Sequence, residues 1–277
     1  MNKSIEMQIR LIYNLVFAKL YSKKNVSELS KGSRVSVIRT AQMLEGSKKY
    51  EEFAKKFAIE LAKKGLRGQK GVWRKFFNAA QKLHYIALPK TWTAFEAQIL
   101  NQAIQHNFTM IKSIPQYVLN IMSHKYTSAL IEEVAKGNLN RGSFYHQLQS
   151  HGHKNAKLIA RTETAKLQTA ILENRATGLG SVAYIWLASN DKRTRQSHKD
   201  MNGVVVFWRQ NQLQKPHLDN MYGNAGEFPN CRCAPQPIFD ELDLTKSSYK
   251  VYNYNNEQII TMTKSELLKA IKEGQLS

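Results

Sequence analysis

The side chains best placed to do chemistry lie between residues 186 and 233. Asp191, Arg193, Thr194, Arg195, His198 and Asp200 crowd one polar segment, and Cys231 and Cys233 follow with one residue between them. A histidine with a Cys-x-Cys pair supplies three of the four soft donors of a tetrahedral zinc site, with His217, Asp191 or Asp200 as the fourth. The competing reading needs no cofactor: the thiols pack as small apolar groups in a short strand while His198 hydrogen-bonds the Asp191 loop. Asp191 suits an Asx turn or helix cap, and Arg193 and Arg195 can form forked hydrogen bonds to a carboxylate or a phosphate. Anchoring of the loop by ion pairs is the preferred role for the two arginines.

Catalysis is the rival use of these groups. Asp191, His198 and Asp200 would serve metal-assisted hydrolysis of the nuclease kind, and Cys231 or Cys233 with His198 could form a nucleophile pair. Other signatures of an enzyme are missing, however. There is no HExxH helix and no GxSxG turn, and Gly65, Gly68 and Gly71 lack the spacing and preceding strand of a phosphate loop. The expectation is therefore a non-enzyme.

These residues need elements to hold them. VAYIWLAS, Val182 to Ser189, and VVVFW, Val204 to Trp208, read as buried strands, with a possible third strand from Cys231 to Phe239 after a loop rich in Asn, Gly and Pro. Upstream, almost everything is helical. The spacing predicts helices over 4–21, within 34–64, over 72–88, from Pro89 to about Lys112, from Pro115 to Lys136, around Arg141 to Gln149, and from Ala156 to Ala176. GLRGQKG, Gly65 to Gly71, reads as a hinge, and SHGHKN, residues 150–155, as a polar break. After the third strand, VYNYNNEQII suggests a separable hairpin, and Thr263 caps a helix from Lys264 to Glu273.

The fold class is thus α+β, a long mainly helical N-terminal region followed by a small α+β domain with a short antiparallel sheet. Four segments are expected: a basic helical arm over 1–88, a helical connection over 89–155, the α+β domain over 156–240, and a hairpin-and-helix tail over 241–277.

Charge separates the two halves. Of the net +20, residues 1–90 contribute +14, from 20 basic and 6 acidic residues. Lys48, Lys49, Lys55, Lys56, Lys63, Lys64, Arg67, Lys70, Arg74 and Lys75 would line a basic helical face suited to phosphates. The alternatives are a solvated face with no specific partner and a standalone DNA-binding module in which Trp73, Phe76 and Phe77 join the contact. No apolar run is long enough for a membrane span, and the start lacks the order of a signal peptide. The closely spaced cysteines would strain as a disulfide, which predicts reduced thiols and synthesis in a cytoplasm.

Taken in order, the ARTE helix (Arg161, Thr162, Glu163), Trp186, the run Asp191, Arg193, Thr194, Arg195, His198 and Gly203, and the segment Asn230, Cys231, Arg232 and Cys233 resemble the head-morphogenesis domain typified by the F protein of phage Mu and the minor head protein of phage SPP1. The resemblance implies a minor capsid component of a tailed phage or prophage, associated with the portal and carried in the virion head. It further implies portal and capsid proteins as partners and a part in head assembly or in handling packaged double-stranded DNA. Related domains are sometimes fused to toxins, and the short stretch after Cys233 is expected to hold none.

Overall fold

The computed structural model describes residues 3–31, 33–84, 92–121, 132–133, 136–137, 141–209, 212–239 and 241–274. They fall into two compact units, one formed by Met1–Ile86 with Leu100–Thr164 and the other by Ala87–Ile99 with Ala165–Ser277.

The first unit is helical. Helix α1 (Lys3–Leu20) buries Ile5, Ile9, Ile12, Tyr13, Val16, Phe17 and Leu20, the near-helical spacing that forces one face inward. Helix α2 (Lys23–Ser30) fills the gap between the helices expected over 4–21 and within 34–64, and Ser22 caps its start. Asn25, buried, donates through Nδ2 to the Leu20 carbonyl at 2.8 Å and to Thr40 Oγ1 at 3.0 Å, which ties the end of α1 to helix α3 (Val35–Glu45).

Three expected interruptions are absent. Helix α4 runs unbroken from Lys48 to His84, through the glycines read as a hinge. A glycine inside a helix costs only about 1 kcal/mol, and burial of Tyr50, Ala54, Ala58, Leu61 and Ala62 along the same helix outweighs it. Helix α5 (Trp92–Ile121) contains Pro115, which was expected to begin a new helix. Proline cannot donate to the carbonyl of Ile111, four residues back. The Tyr50 hydroxyl donates to that carbonyl instead, at 2.6 Å.

Helix α6 (Arg141–Gly178) likewise passes straight through residues 150–155. Gly152 is there for close approach: a β-carbon at this position would lie 2.5 Å from the ring of Phe17. His153 Nδ1 sits 3.2 Å from Asn14 Oδ1 beside it.

The second unit is built on a sheet of five strands in the order β5-β1-β2-β6-β7, with β1 Ala183–Leu187, β2 Val205–Phe207, β5 Ala234–Ile238, β6 Ser248–Asn253 and β7 Gln258–Thr263. A separate hairpin pairs β3 (His217–Leu218) with β4 (Met221–Tyr222). The three strands expected from the sequence are present. The α+β class holds, but the sheet is mixed, because β2 and β6 pair in parallel at Val205 and Val251. That pairing also places the terminal hairpin in the sheet, where the sequence suggested a separable element. Helix α8 (Lys264–Glu273) starts with the capping box expected at Thr263, whose hydroxyl and the Glu266 carboxylate serve each other's backbone N–H groups.

One face of the sheet packs Ala183, Val205, Phe207, Ile238, Val251 and Leu267, and the other packs Tyr184, Trp186, Val206, Phe228, Cys231 and Cys233. Among the described residues no helix is long and apolar enough to cross a membrane.

Candidate functional site

The site lies at the end of β1. After Leu187 the chain leaves the sheet, and Asp191 forms an Asx turn: its Oδ1 accepts from the Arg193 amide at 2.9 Å and from the Thr194 hydroxyl at 3.2 Å. The short helix α7 (Gln196–Asp200) follows and points His198 inward, with 3% of the residue exposed. Gly203 then turns the chain into β2 with φ +81°, a conformation that favours glycine, and its amide donates to the Trp186 carbonyl at 2.8 Å. Asn230 adopts φ +56° just before the two cysteines. Two motif residues are thus backbone specialists.

The arginines pair differently from the sequence expectation. Asp191 is held by Arg232, whose guanidinium reaches both carboxylate oxygens, while Arg193 contributes its backbone amide to the turn. The Arg232 guanidinium keeps the Asp191 carboxyl well below the usual carboxylate range, helped by the Arg193 amide and the Thr194 hydroxyl. Arg195 instead donates to Asp219 Oδ2 at 3.0 Å and to the Pro229 carbonyl at 2.7 Å. These bonds lock the loop after β1 to the segment that carries the cysteines.

Asp219 is the residue that sequence reasoning missed. Its Oδ1 accepts from the Ser197 hydroxyl at 2.7 Å, and its Oδ2 lies 3.4 Å from His198 Nε2. Burial pushes its carboxyl up, but the Ser197 hydroxyl, Arg195 and His198 outweigh this and lower it. It occupies the β3–β4 turn with Asn220, at φ +53° and +60°. Asn and Asp are favoured in a two-residue hairpin turn that needs positive φ at both positions, and this was the available signal.

His198, Cys231 and Cys233 converge. Both sulfurs lie 3.4 Å from His198 Nδ1, and the three donor atoms fall within 4.8 Å of one another. The Cys231 sulfur also accepts from the Cys233 amide at 3.3 Å. The Cys231 thiol is pushed down by hydrogen bonding with the Cys233 thiol and with His198, against burial. Cys233 is pushed up by Cys231 and by burial. Trp186 and Phe228 wall the group, each meeting the His198 ring edge to face, at 5.7 Å and 5.0 Å.

The other residues named from the sequence lie elsewhere. His217 pairs with Glu257 at 2.8 Å, and Asp200 accepts from Gln196 at 2.7 Å. Arg161 and Glu163 belong to the helical unit, where Arg161 meets Glu6 at 3.2 Å and Glu163 lies 3.8 Å from His106 Nε2. On α4, Lys48, Lys49, Lys55, Lys56, Lys63 and Arg67 are exposed and Lys64 is half-buried. Lys55 is paired with Glu51 at 2.8 Å. The side chains of Lys70, Arg74 and Lys75, like those of Trp73, Phe76 and Phe77, lie outside the described residues.

Helix α6 supports the site from beneath. Thr169 donates to the Ala225 carbonyl at 3.0 Å, and the Asn224 amide group donates to Glu173 at 3.3 Å. Burial pushes the Glu173 carboxyl up to about 7. Gly226, at φ +96°, brings the loop so close that a β-carbon would lie 2.5 Å from Thr169 Oγ1 and 3.2 Å from the Cys233 carbonyl.

Residues 124–235 match the family described as Phage Mu protein F like protein. An uncharacterized protein of Haemophilus influenzae is 29% identical over 164 residues, 58% of this chain and 31% of its own. Minor head protein GP7 of Bacillus phage SPP1 is 25% identical over 164 residues, 52% of this chain and 50% of the phage protein. The NAD(+)--arginine ADP-ribosyltransferase EFV of Enterococcus faecalis is 32% identical over 97 residues, 32% of this chain and 20% of that enzyme. The chain spans half or less of the length of these relatives. No solved structure matches it.

Proposed function

We propose that this chain, whose residues 124–235 carry the phage Mu F-like family match, is a minor head protein of a tailed phage or prophage. It acts in head morphogenesis near the portal, with its basic helical unit turned toward packaged DNA. The observation that carries the reading is the use to which the family's motif residues are put. Asp191 is consumed by Arg232, Arg195 is consumed by Asp219 and the Pro229 carbonyl, and Gly203 and Asn230 shape the backbone. Asp191 and Arg195, spent on these partners, hold the loop in place and are not left for a substrate. This supports a structural module over a hydrolase. The activity named for the Enterococcus faecalis relative belongs to a protein of which one-fifth is aligned with this chain.

The test is mass spectrometry of purified, DNA-filled particles. This chain should appear with the portal and major capsid proteins, at a copy number far below that of the capsid protein. Its absence from heads in which both of those are detected would overturn the reading.

A further inference from the structure

We infer that His198, Cys231 and Cys233 form a site for a soft divalent metal, with zinc as its natural occupant and one coordination position open to solvent. The inference rests on geometry and holds whether or not the chain enters a phage particle.

The first argument is valence. One imidazole nitrogen has one bonding direction in the ring plane, either an N–H or a lone pair. Two sulfurs at 3.4 Å from the same Nδ1 can be served by hydrogen bonding only as a shared, three-centre contact. A cation between the three atoms serves all of them at once.

The second argument is distance. With zinc–sulfur bonds of about 2.3 Å and zinc–nitrogen bonds of about 2.0 to 2.1 Å, a tetrahedron has N···S edges of roughly 3.5 Å and an S···S edge of roughly 3.8 Å. The two N···S separations of 3.4 Å match the N···S edge, and the sulfurs lie within 4.8 Å of each other.

The surroundings agree. A metal-bound histidine usually directs its other nitrogen at a carboxylate, which fixes the ring and its tautomer. His198 Nε2 lies 3.4 Å from Asp219 Oδ2 and 3.3 Å from Arg195 Nη1, and Ser197 and Arg195 hold that carboxylate in turn. The Cys233 amide donates to the Cys231 sulfur, as suits a thiolate. Charge also balances, since two thiolates would offset a dication while Arg195 and Arg232 are each paired with an aspartate. A cavity of about 100 Å³ reaches the three donors past Ser189, Thr194 and Asn230, and gives water a route to the fourth position.

The experiment uses the reduced full-length chain, stripped of metal under argon and titrated with cobalt(II) and then zinc. The expected result is one cobalt per chain, a thiolate-to-cobalt charge-transfer absorption in the near ultraviolet, the intense visible bands of a four-coordinate ion, and loss of both on adding zinc. Cys231→Ser with Cys233→Ser should abolish the charge-transfer absorption. Should that variant not fold, Asp219→Asn leaves all three ligands in place and should weaken metal binding roughly 10- to 100-fold. A chain with native near-ultraviolet circular dichroism that takes up no cobalt, or takes it up without the thiolate band, overturns the site. An unchanged affinity in Asp219→Asn overturns the role of that carboxylate.

Discussion

At the scale of single residues, the module depends on groups whose sequence signal was clear but whose partners were not. Asp191 stood out as a turn former after a strand, and its Asx turn is a local consequence of residue type. Its partner Arg232 lies 41 residues away, and no local pattern distinguishes it from Arg193 or Arg195. The pairing has a measurable sign. Because Arg232 depresses the Asp191 carboxyl in the folded chain, its contribution to stability is complete above the unfolded value of about 4 and is lost as pH falls below it. In that window the unfolded chain binds the proton that the folded one refuses. Thermal melts between neutral and strongly acid pH should therefore show a decline below pH ~4 in the wild type that is shallower in Asp191→Asn, with the two curves offset at neutral pH. Parallel curves throughout would mean that the ion pair contributes nothing. His198 and the cysteines could be grouped from the sequence because donor chemistry is a property of residue type, and the fold brings the three together. Asp219 was not, because it reaches the histidine from a hairpin that only the fold places there.

At the scale of elements, short patterns were easier to read than long ones. The apolar runs of β1 and β2 and the capping signature of α8 are decided within a few residues, and they stand where expected. The helices of the first unit are decided by packing across the chain, so glycine and proline misled. Gly152 accommodates the Phe17 ring and Pro115 is compensated by Tyr50, yet both look like punctuation when read in isolation. The Pro115 arrangement makes a specific prediction. Tyr50→Phe strands the buried Ile111 carbonyl and should cost about 1–3 kcal/mol in urea unfolding. Pro115→Ala restores an amide that can donate to the same carbonyl. The Tyr50→Phe penalty should then fall by half or more in that background. An equal penalty in both backgrounds would show that the tyrosine acts through packing alone.

At the scale of the whole molecule, the distribution of charge decides what the helical unit can meet. A surplus of +14 in the first 90 residues is far more than solubility requires, and Lys48, Lys49, Lys56 and Lys63 are exposed along α4. Lys55 is a weaker candidate for phosphate contact because Glu51 already neutralises it in part. Binding by phosphate contact releases counterions, so the logarithm of affinity falls with that of salt by about 0.9 for each neutralised phosphate. Full-length protein titrated onto duplex DNA of arbitrary sequence should show such a slope. Replacing Lys48, Lys49, Lys56 and Lys63 with glutamine should reduce it by up to roughly 3.6, or about 0.9 for each lysine that touches a phosphate, and should weaken binding equally on unrelated sequences. Lys55→Gln alone should lower the slope by less than the roughly 0.9 expected for a lysine that touches a phosphate. If all four replacements leave both slope and affinity at low salt where they were, the surplus charge serves some purpose other than DNA contact through this helix.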